Sequence, residues 1–286
     1  MRQKTTIANL ILLVVAVVWG GGFVAGKMAL TTLPPVAVLM YRFGIGSAVC
    51  GIIFWKRIKN APFSTIKKGM IIGTIQMIGL TVQLSGLQYT STANQSFLCT
   101  AYVAFVPFIS WIILRKRPEI KAFVAGFLAI AGIGFICLEG SLSLGVGDSL
   151  SVLFSVIFGV QIVIVGMIVD GDIDIFQLSF YQLATSAVIA FFICLVQGHV
   201  INEFCVESLV GVLYLAILNT VVAFIGQNYA QKYTKDTTAA LIMSLESVFG
   251  FLLSVLYYKE VVTLKFLLGS ILCFVAILIN TVKMKK

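Results

Sequence analysis

Charged side chains are scarce in this sequence: 11% of its 286 residues, against 60% that are hydrophobic, at a mean hydropathy of +1.07. A soluble domain usually carries roughly 25% charge. A chain this poor in charge cannot cover so apolar a core in water. Lipid is therefore the expected solvent for most of its surface. Histidine is nearly absent, His199 being alone, which excludes a histidine-rich metal site. The sequence has no Walker motif and no stretch long and polar enough for a nucleotide-binding domain, which argues against ATP-driven work by this chain alone. No cofactor or metal is expected. The six cysteines give no disulfide framework. Cys50, Cys99, Cys137, Cys194 and Cys273 fall inside apolar runs, where Cys behaves as a small hydrophobe, and only Cys205 lies in a loop.

What the chain does have is apolar runs of spanning length. Separated by polar breaks, they predict ten spans at residues 7–28, 35–55, 69–87, 93–114, 120–138, 148–169, 176–197, 208–230, 238–258 and 263–282. The weakest break, 85–94, reads as a tight turn rather than a long loop, marked by Gln88, Ser91, Thr92 and Asn94. The basic start lacks a clear cleavage site and reads as a first span that is retained. The fold class expected is an all-α integral membrane protein, with ten transmembrane helices as two inverted five-helix repeats over 1–140 and 145–286.

The net charge of +9 would suggest nucleic acid in a soluble protein, but here Lys and Arg orient helices. With a cytoplasmic N-terminus, every Lys and Arg except Lys27, Arg42, Lys259 and Lys265 falls in an inside loop or terminus. That reading predicts a multi-pass cell-membrane protein with both termini cytoplasmic. Its partners are a small-molecule substrate and the bilayer, not nucleic acid, with the oligomeric state open and a homodimer among the choices.

A repeat supports the halves. At an offset of 144, Gln83 meets Gln227, Tyr89 and Thr90 meet Tyr233 and Thr234, and Phe105, Ser110 and Arg115 meet Phe249, Ser254 and Lys259. An offset near 140 sets Tyr41 against Tyr181. Five spans per half is odd, so the second half enters the membrane upside down, as in transporters with one site at the midplane.

The first two spans read Trp19-Gly-Gly-Gly-Phe23, then Lys27, Pro34 and Pro35, and Tyr41-Arg-Phe43. With Leu245-Glu246 in the ninth span and Lys259-Glu260 at its end, this order resembles the EamA-type proteins of the drug/metabolite transporter superfamily. Ser247 stands where those proteins usually have Pro. The resemblance covers the whole chain. It implies a central cavity among spans 1, 3, 4, 6, 8 and 9, with spans 5 and 10 peripheral. It also implies secondary or facilitated transport, often outward, of an amino acid, metabolite or drug-like compound.

Polar groups in hydrocarbon are costly, so their positions point to the site. Gln76 and Gln83 are seven apart on one helix face, as are Gln95 and Tyr102, and Thr220 and Gln227. The repeat relates Gln76 to Thr220, Gln83 to Gln227 and Tyr102 to Glu246. Together they read either as a midplane cavity or as hydrogen bonds that fix helix packing. Glu246, the one acidic residue deep in a span, is either a proton-coupling or cation-recognising group or a structural partner of Tyr or Gln. Lys27 and Arg42 either snorkel and brace a hairpin or serve as charge partners. Trp19, Phe23 and Phe158 read either as an apolar cavity wall or as plain packing. Gly22 with Gly26, and Gly69 with Gly73, have the spacing of close helix crossings. A competing reading is an intramembrane enzyme using the loop of Asp170, Asp172 and Asp174.

Overall fold

A computed structural model of the chain describes residues 2–115, 120–137, 145–169, 171–260 and 262–281. Those residues form helices and turns, with no strand among them. In chain order the helices are α1 (Arg2–Ala29), α2 (Pro35–Ile58), α3 (Phe63–Leu87), α4 (Thr92–Cys99), α5 (Tyr102–Leu114), α6 (Ile120–Cys137) and α7 (Val146–Val169). Then follow α8 (Ile175–Gln197), α9 (Val206–Tyr214), a π-helical segment (Leu215–Val222), α10 (Ala223–Gln231), α11 (Asp236–Met243), α12 (Glu246–Tyr258) and α13 (Leu264–Thr281).

Local chemistry sets the ends. Pro35 opens α2, where its missing N–H is no loss. The Asp174 carboxylate caps α8 by accepting from the Phe176 and Gln177 amides, and Gly198 at φ +73° ends it. Ser91 caps α4 directly after the short turn expected there. α1 and α3 begin earlier than the hydropathy suggested, at Arg2 and Phe63 rather than 7 and 69. Apolarity marks the lipid depth, and a helix continues into the headgroup region as long as its backbone is bonded.

Among the described residues, eight helical stretches are long and apolar enough to cross a membrane, including Thr92–Leu114, Val206–Gln231 and Asp236–Tyr258, each of which runs through a break or π turn. Outward-facing Ile52 (80% exposed) and Val196 (87%) have only lipid to meet. α6 and α13, 18 residues each, pack on one another.

The two halves carry the same irregularities 144 residues apart. One helix breaks at Thr100-Ala101 and the other at Ser244-Leu245. Each then ends in a left-handed residue that is not glycine, Arg115 at φ 56° and Lys259 at φ 52°. Packing repeats as well: α3 on α7 matches α9 and α10 on α1, α4 on α7 matches α11 on α1, and α5 on α7 matches α12 on α1. α2 packs on its own image α8, and the stretch Thr92–Leu114 on its image Asp236–Tyr258, α4 meeting α12 as α11 meets α5. The molecule thus has an approximate two-fold axis. Arg115 lies at the face where α1 begins, called here the N-terminal face, and Lys259 at the opposite face.

Candidate functional site

A narrow cavity, about 500 Å³ of space when the open solvent at its mouth is included, lies in the half of the molecule toward the opposite face. Its aromatic wall comes from α1 and α7. Trp19 meets Phe158 edge-on at 5.5 Å and Phe224 at 5.4 Å between ring centres, and Phe154 stacks on Phe158. Phe23 also lines it, and α3 adds Leu80, Gln83, Leu84 and Leu87 along one face.

Arg42, Asn219 and Glu246 break this wall, beside the amides of Gln83 and Gln95. Arg42 of α2 is 3% exposed. Its Nε donates to Thr220 Oγ1 at 2.6 Å and its Nη2 to Asn219 Oδ1 at 2.7 Å. Both partners are neutral, and the guanidinium also faces the Phe224 ring at 6.0 Å. Asn219 is held in turn. Its amide donates to the Val18 carbonyl, and its own carbonyl accepts from Trp19 Nε1 at 3.1 Å. Gly22 lets this happen, because a Cβ there would run into the Asn219 side chain. The π turn brings Asn219 and Thr220 round to Arg42: i→i+5 bonding puts an extra residue into the turn and shifts the helix face.

Glu246 is the third group, 5% exposed at the first position of α12. Its carboxylate accepts from the Tyr102 hydroxyl at 3.2 Å. Tyr102 is fully buried behind Phe158, so it orients Glu246 without lining the cavity itself. Gln95 donates to the Gln83 carbonyl at 2.7 Å, and Gln83 to Cys99 Sγ. An array of one cation, one carboxyl and several amides between aromatic faces binds a small molecule with an apolar body and charged ends.

The sequence of this scaffold matches one family twice. The EamA-like transporter family covers residues 6–138 and again 145–282. The chain belongs to this family. A relative from Archaeoglobus fulgidus, described as "Uncharacterized transporter", is 32% identical over 98% of this chain and 87% of its own. A second protein of the same organism and description is 25% identical over 99% of each chain. A solved crystal structure matches at TM-score 0.74 and 15% identity, covering 96% of this chain and 97% of its own, and so shares the fold. An EamA chain with this many apolar helices is a multi-pass membrane protein.

Against this EamA frame the expected site residues divide. Trp19, Phe23, Gln83, Gln95, Phe158, Glu246 and Arg42 line the cavity. Arg42 does not snorkel, because the polar groups of the π turn reach it before any headgroup can. It adds α2 to the expected set of lining spans. Thr220 and Tyr102 stand one layer back. Lys27 is a brace, donating to the Leu87 carbonyl at 3.0 Å and the Thr90 carbonyl at 3.4 Å.

Gln76 and Gln227 lie outside the cavity. Gln76 accepts from the Gln182 amide, and Gln227 is fully buried. The seven-residue spacing was right about the helix face, but that face meets α8 at one height and the cavity at another. Asn219, Phe154, Phe224, Leu215 and the leucines of α3 were missed. Only Asn219, an amide amid an apolar run, carried a signal. Of the aspartate loop, Asp170 lies outside the described residues, Asp172 is exposed, and Asp174 is a helix cap 4.0 Å from Arg57. Among the described residues no group of acidic, His or Cys side chains could hold a metal.

Proposed function

We propose that this EamA protein moves a small organic solute bearing a carboxylate, such as an amino acid or another metabolite or drug-like acid, across the cell membrane by alternating access, in the outward direction. The observation that carries the reading is Arg42: a buried guanidinium on a cavity wall whose only hydrogen-bond partners among the described residues are neutral. A buried charge is costly without a counter-charge, and a solute carboxylate supplies one with bidentate geometry. Glu246 faces the same cavity and suits an amine on the same solute, or a proton. The aromatic wall takes the apolar remainder. The transporter names of the relatives support the class of activity.

On this reading the chain crosses the membrane ten times, with α6 and α13 as the fifth and tenth spans and the halves inverted. The N-terminal face is cytoplasmic by its basic residues, which turns the cavity outward. Transport is secondary or facilitated.

Thermal shift of the purified protein tests this with matched triples: an apolar amino acid, its amine without the carboxyl, and its acid without the amine. The amino acid and the acid should stabilise, by about 2.7 kcal/mol at a hundredfold excess over Kd. Arg42→Gln should abolish both shifts. If the amine alone stabilises as well as the amino acid, Arg42 is not the recognition group.

A further inference from the structure

One helix touches two pockets. Phe224 of α10 lines the cavity. Two turns on, Gln231 lines a second pocket, open to solvent at the N-terminal face, beside Gly166, Met167 and the charged Lys4, Lys232, Lys235 and Asp236. Between them on α10 stand Gln227 and Asn228, both fully buried.

These amides are under-used. Neither polar atom of Gln227 has a hydrogen-bond partner among the described residues, and neither do Asn228 Oδ1, Gln231 Oε1 and Gln76 Nε2. Gln231 donates to the Ile162 carbonyl at 2.9 Å and to Asp236 Oδ1 at 3.3 Å, and the other bonds run across the helices. Asn228 donates to Gln182 Oε1 at 2.7 Å and to Ser179 Oγ, and Gln182 donates to Gln76. Buried polar groups are nearly always paired. Several spare amide atoms on one helix face are groups with partners to find in another arrangement.

The repeat identifies that arrangement. Shifted by 144, Leu80, Gln83, Leu84 and Leu87 of α3 become Phe224, Gln227, Asn228 and Gln231 of α10. Gly22 and Phe23 become Gly166 and Met167. Every member of the first set lines the cavity, and the second set runs from that cavity to the second pocket. Arg42 maps to Gln182 at the offset of 140 that pairs Tyr41 with Tyr181, so the charge itself is not repeated.

We propose that Gln227, Asn228 and Gln231, with Gln76 and Gln182 across from them, form an amide-lined site in the N-terminal-face half of the solute path, between the cavity and the charged mouth of the second pocket, closed in this structure. The inference rests on the transport reading above and adds to it. Amides both donate and accept, so they solvate a carboxylate or an ammonium group leaving Arg42 and Glu246 without holding it by charge. The path therefore binds by a cation in one half and releases through amides in the other.

The test uses the full chain in proteoliposomes, its native cysteines replaced by Ala, with a small charged thiosulfonate as the probe. Single cysteines are placed by Asn228→Cys, Gln231→Cys and, at the image position in the cavity, Leu84→Cys. A lock is added by oxidising the pair Asn9→Cys and Thr234→Cys, whose native side chains hydrogen-bond at 2.9 Å across the N-terminal face. The expected result is labelling at 228 and 231 that slows at least tenfold with the lock, while labelling at 84 is not slowed. Labelling at 84 with none at 228 or 231 makes the amides packing groups and overturns the proposal. So does labelling at 228 and 231 that ignores the lock. No labelling at 84 removes the cavity reading itself, and the proposal with it. Using both 228 and 231 keeps the test open if one variant fails to fold.

Discussion

Lys27 and Arg42 look alike in the sequence, each a lone cation toward the end of an apolar run, yet their surroundings differ. Lys27 reaches two free carbonyls at the end of α3 and the turn after it. Its flexible ammonium suits orphan helix-end acceptors. Arg42 meets no helix end, and the rigid guanidinium fork is held by Asn219 and Thr220. Neither outcome was legible in one sequence, because each depends on which neighbour a π turn or a loop presents. The position of Glu246 on the cavity wall was legible from a lone carboxyl amid apolar residues, and its bond to Tyr102 from the repeat that relates the two. Replacement of Glu246 by Gln keeps an acceptor for Tyr102 and should change stability by less than about 1 kcal/mol. Glu246→Leu strands the buried hydroxyl and should cost about 1–3 kcal/mol. In proteoliposomes Glu246→Gln should spare solute exchange down a gradient and abolish pH-driven accumulation. Accumulation at the normal rate would mean that the carboxyl is structural.

At the scale of helices, composition and spacing located every long stretch, because a bilayer demands apolar runs of fixed length. The breaks within them left no mark on hydropathy. None of Thr100, Ala101, Ser244 and Leu245 is itself a helix breaker, and the two breaks lie where α4 and α12 pack on each other. Helix contacts were readable where glycines repeat. Gly69 and Gly73 sit against α8, and a Cβ at Gly69 would lie 2.6 Å from the Tyr181 Cβ and 3.1 Å from the Gln182 amide. Backbone cannot yield there, so Gly69→Ala should destabilise by about 1–3 kcal/mol, as overpacking does. Gly44, in mid-helix, has nothing within 4 Å of its would-be Cβ. Gly44→Ala should stabilise by about 0.5–1 kcal/mol through the unfolded chain alone. Melting temperatures in one detergent read both. Equal effects at the two positions would contradict the close crossing of α3 and α8.

For the whole molecule, the repeat offset read from a handful of identities is the one the backbone obeys, down to the left-handed Arg115 and Lys259. The proposed orientation has a direct check. Lys59 and Gly145 are exposed near opposite faces. Single cysteines there, in the background without native cysteines, should label from opposite sides of the membrane, and labelling from one side would end the ten-span topology. The contact between Tyr102 and Glu246 has a consequence of another kind. These residues occupy the same place in the two halves and touch, so they sit astride the two-fold axis. Two identical five-helix subunits around such an axis would have to be self-complementary at this point, facing acid with acid or phenol with phenol. Two carboxylates so close could not both ionise. Divergence of fused halves makes the central contact heterotypic, one half giving the acid and the other its donor. A single carboxyl on the axis is thus open to a tandem chain and closed to any symmetric dimer of its halves.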